Sequence, residues 1–168
     1  MKIKAGKPKK SGWYFNVIPE EPIFVSNVLV ILWTDYFDKE SGTWGIIDLE
    51  RNEDIFWAEL PEVVTSDGKP FLKVEEGKAQ TITLNDGLPQ NPGGYILALA
   101  PEKGLPWYFN AFDTKIELPP NMKGVLQSDR FQFFGDRALE PNSCQDTEDV
   151  IGWAELPELI FPDGTIIK

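Results

Sequence analysis

This chain contains no histidine. The absence removes the commonest general base and the commonest metal ligand, and with them Ser-His-Asp and Cys-His catalysis. There is one cysteine, Cys144, which excludes an intrachain disulfide and a thiolate-rich metal cage. No apolar run approaches the roughly 20 residues that a membrane helix needs. The basic N-terminal stretch lacks the apolar segment of a signal peptide, so a cytoplasmic or virion setting is expected. Apolar residues nowhere recur at helical spacing over ten positions, which argues against long helices. Basic residues are scarce beyond the start. Residues 1–10 hold Lys2, Lys4, Lys7, Lys9 and Lys10 and no acid, whereas the other 158 residues carry 11 basic and 27 acidic groups. An acidic body repels phosphate backbones, so generic nucleic-acid binding is not expected. The lysine-rich start reads as a solvated terminus or a small anion-binding arm.

What is abundant points the other way. Glycine and proline number 14 each and aromatics make up 12% of 168 residues, a mix that favours short strands separated by turns. An all-β fold with at most one or two short helical turns is therefore expected. Strands are expected over 1–6, 13–18, 23–33, 43–49, 54–60, 71–74, 80–84, 95–100, 107–112, 115–118, 122–126, 130–134, 149–156, 159–161 and 165–168. The segments 43–49 and 54–60 should pair with each other. A hairpin turn is expected at Ser66-Asp67-Gly68-Lys69.

The chain also repeats itself. Trp57-Ala-Glu-Leu-Pro-Glu62 recurs as Trp153-Ala-Glu-Leu-Pro-Glu158, and Trp13-Tyr-Phe-Asn16 recurs as Trp107-Tyr-Phe-Asn110. Between these anchors Asn27, Leu32, Asp35 and Phe37 match Asn121, Leu126, Asp129 and Phe131, and Asp67-Gly68 matches Asp163-Gly164. We read an internal duplication: a first β repeat over 1–73, a connecting strand and turn-rich linker over 74–94, and a second repeat over 95–168. Units of about 70 residues are marginal alone, so a shared core is expected. In the six-residue repeat, strand alternation sends Trp and Glu to one face and Ala and Leu to the other. The leucine before proline is extended, and proline cannot donate to a ladder, so the strand should close there.

Candidate binding residues are Trp13, Trp57, Trp107 and Trp153, which serve as core plugs or as contact aromatics, together with the acids Asp35, Asp38 and Glu40. Asp38, Glu40 and Gly42 resemble a calcium loop only faintly. Their spacing does not fit and no helix flanks them, so no metal is expected there.

From residue 74 onward the order of signals resembles the dUTPase and dCTP deaminase superfamily, whose fold is the β-clip. The residues that carry the likeness are Glu75-Glu76-Gly77, Pro92-Gly93-Gly94-Tyr95-Ile96-Leu97-Ala98, Glu102, Leu118-Pro119-Pro120, Trp153-Ala154-Glu155-Leu156 and Pro162-Asp163-Gly164-Thr165-Ile166-Ile167. The resemblance implies a β-clip-like barrel or sandwich and a trimeric habit. It also implies, on the enzymatic branch, a catalytic carboxylate at Glu155. Where the family carries an Arg-Ser-Ser phosphate motif, this chain has Gln127-Ser128-Asp129-Arg130-Phe131, with an acid in place of paired serines.

Three functions follow. The first is a non-catalytic acidic β-protein, an oligomeric structural or binding module of viral or phage type such as a capsid decoration or assembly protein. It would self-associate, as a homotrimer for instance, or bind a protein partner, and it would need neither a membrane nor a cofactor. The second is a pyrimidine deoxynucleotide-binding or hydrolysing enzyme, with Glu155, Asp129 and Arg130 at the site and Mg2+ on the phosphates. The third is an acidic viral inhibitor or nucleic-acid mimic, built on the seven acids between Asp35 and Asp54.

Overall fold

The computed structural model describes residues 1–19, 30–45, 56–74, 80–100, 107–109, 115–133, 139–141 and 147–167. Sixteen strands make up nearly all of their regular structure, with one short 3-10 turn at Thr147–Asp149. The main sheet runs β1 (Lys4–Ala5), β5 (Phe56–Glu59), β2 (Gly12–Pro19), β3 (Val30–Asp38), β12 (Val125–Phe133), β9 (Gly93–Leu99), β14 (Val150–Glu155). Two short strands join it off this path, β4 (Thr43–Trp44) on β3 and β13 (Leu139–Pro141) on β12. A small sheet holds β7 (Pro70–Leu72), β6 (Glu62–Val64) and β8 (Thr81–Thr83), and two hairpins are formed by β10 (Trp107–Phe109) with β11 (Lys115–Glu117) and by β15 (Leu159–Ile160) with β16 (Ile166–Ile167).

The all-β expectation is met, and the repeated hexapeptide behaves as its chemistry requires. Each copy ends a strand at its Glu, β5 at Glu59 and β14 at Glu155. Ala58 and Leu60 enter one buried cluster while Trp57 enters another on the opposite face. Two details of pairing differ from expectation. Among the described residues β4 pairs with β3, and β5 with β1 and β2, so Thr43–Trp44 and Phe56–Glu59 are not partners; the rest of the pairing expected between 43–49 and 54–60 lies outside the described residues. In place of the two strands expected over 122–126 and 130–134, one nine-residue strand runs from Val125 to Phe133, because β9 pairs with it continuously from Val125 to Phe131; position 134 lies outside the described residues.

The two halves of the main sheet repeat each other rung for rung. In one half β2 lies between β5 and β3, and in the other β9 lies between β14 and β12. Tyr14 faces Glu59 and Asp35; Tyr95 faces Glu155 and Asp129. The counterpart of β2 is thus β9, displaced by 81 positions from Tyr14 to Tyr95. It is not β10, although β10 carries the second Trp-Tyr-Phe-Asn. That tetrapeptide starts in a hairpin between β9 and β12 that pairs only within itself among the described residues. From β3 to β12 the displacement is 94, Asp35 to Asp129, and from β5 to β14 it is 96, Glu59 to Glu155. The step of 13 between 81 and 94 falls in the β9–β12 connection.

At the centre, β3 meets β12 through the opposed pair Trp33 and Gln127. Side-chain hydroxyls supplement this seam. The Leu32 N–H donates to Ser128 Oγ at 2.7 Å and the Leu126 N–H to Thr34 Oγ1 at 3.0 Å. These two bonds are equivalent under the 94-residue displacement. Below the sheet, one core draws on both halves: Phe15, Val17, Leu32 and Ala58 pack with Ile96, Ala98, Leu126 and Ala154, closed by Phe71, Leu72 and Leu159. Burial of each large side chain there is worth about 1.5–3 kcal/mol.

Candidate functional site

The other face of the sheet holds the chemistry-bearing residues. Directly opposed antiparallel residues project to the same side, so one rung carries Trp57, Asn16, Trp33, Gln127, Leu97 and Trp153 in a line across six strands. Lys4 extends the line beyond Trp57, and Asn85 extends it beyond Trp153. The neighbouring rung carries Glu59, Tyr14 and Asp35 in one half and Glu155, Tyr95 and Asp129 in the other. Asp35 and Asp129 are buried at 0% and 8% exposure, whereas Glu59 and Glu155 are exposed.

Each tyrosine is locked in the same way. Its hydroxyl donates to a backbone carbonyl four residues back, Tyr14 to Lys10 at 3.2 Å and Tyr95 to Asn91 at 2.8 Å. Its ring meets a tryptophan edge-on, Tyr14 with Trp57 at 4.9 Å and Tyr95 with Trp153 at 5.1 Å. A glycine two residues earlier makes room for the ring. A Cβ on Gly12 would lie 3.4 Å from the Tyr14 hydroxyl, and one on Gly93 would lie 3.1 Å from that of Tyr95. Burial, then the nearby charge of Glu59, then Tyr36, push the Tyr14 hydroxyl above its ordinary pKa. Lys4 Nζ sits 2.8 Å from Glu59 Oε1 and 4.3 Å above the Trp57 ring, an ion pair joined to a cation–π contact. Asn85 occupies the matching place in the second half.

Of the residues singled out from the sequence, Glu155 and Asp129 are brought to one rung on either side of Tyr95. Arg130 opposes Gly94 on the next rung. Trp57 is buried, Trp153 half-buried, and Trp13 lies on the opposite face, against the main core and Tyr36. Trp107 opposes Glu117 in the β10–β11 hairpin. Asp35 Oδ1 accepts from the Tyr36 N–H at 2.7 Å. Asp38 closes its own turn, accepting from the backbone N–H groups of Glu40 and Ser41 and from the Ser11 and Ser41 hydroxyls. These bonds, that from Ser41 foremost, hold its carboxyl below the usual carboxylate range. Glu40 is exposed in the same turn. Among the described residues no three metal-ligating side chains converge.

Sequence reasoning did not single out Tyr14 and Tyr95 as site residues, nor the polar rung of Asn16 and Gln127. A signal was present: Gly-x-Tyr at 12–14 and again at 93–95. The longer Trp-Tyr-Phe-Asn match masked it. Also on this face, among the described residues, the indole N–H groups of Trp33, Trp44, Trp57 and Trp153 and Gln127 Oε1 are buried without a hydrogen-bond partner. Comparison with known proteins adds nothing: no family model, curated protein or solved structure matches this chain.

Proposed function

We propose that this protein is a non-catalytic acidic β-module that works by contact, through self-association or with a protein partner. One observation carries the reading. The carboxylates an enzyme would use, Asp129 and Glu155, recur as Asp35 and Glu59 with the same tyrosine between them and the same tryptophan beside it. Packing is inherited in both copies of a repeated unit, whereas a reaction centre needs its groups only where substrate binds. In both halves the tyrosine hydroxyl is committed to a backbone carbonyl, and the inner aspartate is buried. This pattern suits a role in shape and charge better than proton transfer. A contact surface is available at the β15–β16 hairpin, where Ile160 opposes Ile166 and both are exposed, at 36% and 55%. Two adjacent branched apolar side chains on an acidic protein suit a partner's apolar surface. The nucleotide-enzyme reading draws its support from the Glu155–Tyr95–Asp129 rung, and Mg2+ would be its requirement.

Light scattering of the purified protein, alone and with deoxynucleoside triphosphates plus Mg2+, separates the two. The expected result is a mass that is indifferent to every nucleotide and that falls when Ile166→Asp is introduced, if the contact is with itself. Consumption of dUTP or dCTP, abolished by Glu155→Gln, would overturn the contact reading.

A further inference from the structure

The two halves do more than resemble each other; each lends its leading segment, residues 1–3 in the first and β8 in the second, to the other. Ile3 N–H donates to Ile160 O at 2.8 Å, and Ile160 N–H donates to Met1 O at 2.9 Å, so the start of the first half lies parallel to β15 of the second. Reciprocally, Leu84 N–H donates to Val64 O at 2.9 Å, and β8 lies parallel to β6 of the first half. Ile3 and Leu84 differ by 81 positions, and Val64 and Ile160 by 96, the displacements that relate the sheet strands. After crossing, each arm returns to its own half. Lys4 pairs with Trp57, and Asn85 with Trp153. The accepting hairpins match as well: Gly68 N–H donates to Thr65 O, and Gly164 N–H to Phe161 O.

We infer that this chain is an arm-exchanged dimer joined into one polypeptide, so that the surface each half presents to the other is a homodimer interface and the partner it fits is a second copy of the same unit. Three contacts define that interface. They are the β3–β12 seam with its reciprocal hydroxyl bonds, the shared core under it, and the two exchanged arms. All three are reciprocal under the same residue displacements, as a two-fold relation centred on the Trp33–Gln127 pair requires. A two-fold interface places residue i against j and j against i, and the seam does so: Leu32 with Ser128, Leu126 with Thr34. Arm exchange between identical units is a common route to dimers. A tandem of independent domains would instead keep each leading segment on its own hairpin.

If the halves are equivalent units, the join between them is only one of two possible joins. The segment linking Leu72 to Thr81 has its counterpart in the gap from Lys168 to Met1. A circular permutant tests this: Lys168 joined to Met1 by a linker as long as the 73–80 segment, with new ends between Gly77 and Lys78. It is expected to give the same far-UV circular dichroism and a cooperative melt within about 8 °C of the parent, which corresponds to a few kcal/mol. A larger fall, or loss of the cooperative melt, overturns the proposal. In a second variant a protease site is placed at the same point of the unpermuted chain. After cleavage both fragments are expected in one particle at the parent's elution volume and mass. Fragments that part under native conditions overturn the proposal, whatever the permutant does.

Discussion

At Gly124 a methyl group has nowhere to go. A Cβ there would lie 2.1 Å from the Leu99 carbonyl oxygen and 2.8 Å from the Phe71 ring, and the backbone oxygen is fixed by the β9–β12 ladder. Gly124→Ala is therefore expected to destabilise the fold by about 3 kcal/mol, measured by urea unfolding. Gly87→Ala meets open space and carries only the strain of its left-handed backbone (φ 72°), for an expected loss of about 1–2 kcal/mol. The reverse order would refute this reading of the β9–β12 joint. The Asp67 carboxyl offers a test in solution. Lys69 first, then Thr65, hold it down to about 2, with Lys69 Nζ at 2.6 Å from Oδ2 and the Thr65 hydroxyl at 2.6 Å from Oδ1. A carboxyl depressed in the folded state supports the fold above its unfolded pKa, and that support is lost as pH falls through the folded pKa. Carboxyl NMR should accordingly show Asp67 titrating near 2, and Thr65→Ala should move it upward toward the ordinary range. An unchanged titration would show that the hydroxyl does not act on it.

Among the elements, the β3–β12 seam is where the sheet depends on side chains. Thr34 Oγ1 both accepts from the Leu126 N–H and donates to the Leu126 carbonyl, and Ser128 Oγ accepts from the Leu32 N–H. Thr34→Val keeps the volume but strips the hydroxyl, leaving a buried backbone donor and acceptor without that partner. Ser128→Ala does the same to one donor. Each is expected to lower stability by about 1–3 kcal/mol. Hydrogen exchange should localise the effect, with faster exchange at the Leu126 amide in the first variant and at the Leu32 amide in the second. Acceleration spread evenly over β2 and β9 would mean that the seam is held by packing instead.

For the whole molecule, the exchanged arms make residues far apart in sequence equivalent in energy. Ile3 and Leu84 are exposed by 5% and 3% and enter the same core. Ile3→Ala and Leu84→Ala are each expected to cost about 2–4 kcal/mol and to lower the melting temperature by similar amounts in one cooperative transition. Ile3→Ala at the level of an ordinary frayed terminus, below about 0.5 kcal/mol, would show that the first arm is not seated in solution. The acid-rich body adds a second whole-molecule property. With 27 acidic and 16 basic groups, self-repulsion opposes compaction, and added salt should screen it and raise the melting temperature.

The sequence by itself determined the β class, through its turn residues, its aromatics and the want of any helical period. It also determined the end of β5 and β14, because a leucine before a proline is extended and the proline cannot donate. Such features are local and need only a few neighbouring residues. Which strands correspond was decided by the tertiary structure. Trp13-Tyr-Phe-Asn16 and Trp107-Tyr-Phe-Asn110 match letter for letter, yet the true counterpart of β2 is β9, which shares with it little beyond a glycine and a tyrosine. Register depends on who lies on either side, and Tyr95 is fixed between Glu155 and Asp129 by two ladders that no single strand encodes. The candidate rung was legible in part. Asp129 and Glu155 were singled out as site residues from the sequence, but the tyrosine that joins them was not, since they stand 26 positions apart and meet only across β9. The exchange of arms was not legible at all, because it rests on which of two equivalent hairpins a short strand reaches, and chain geometry in three dimensions makes that choice.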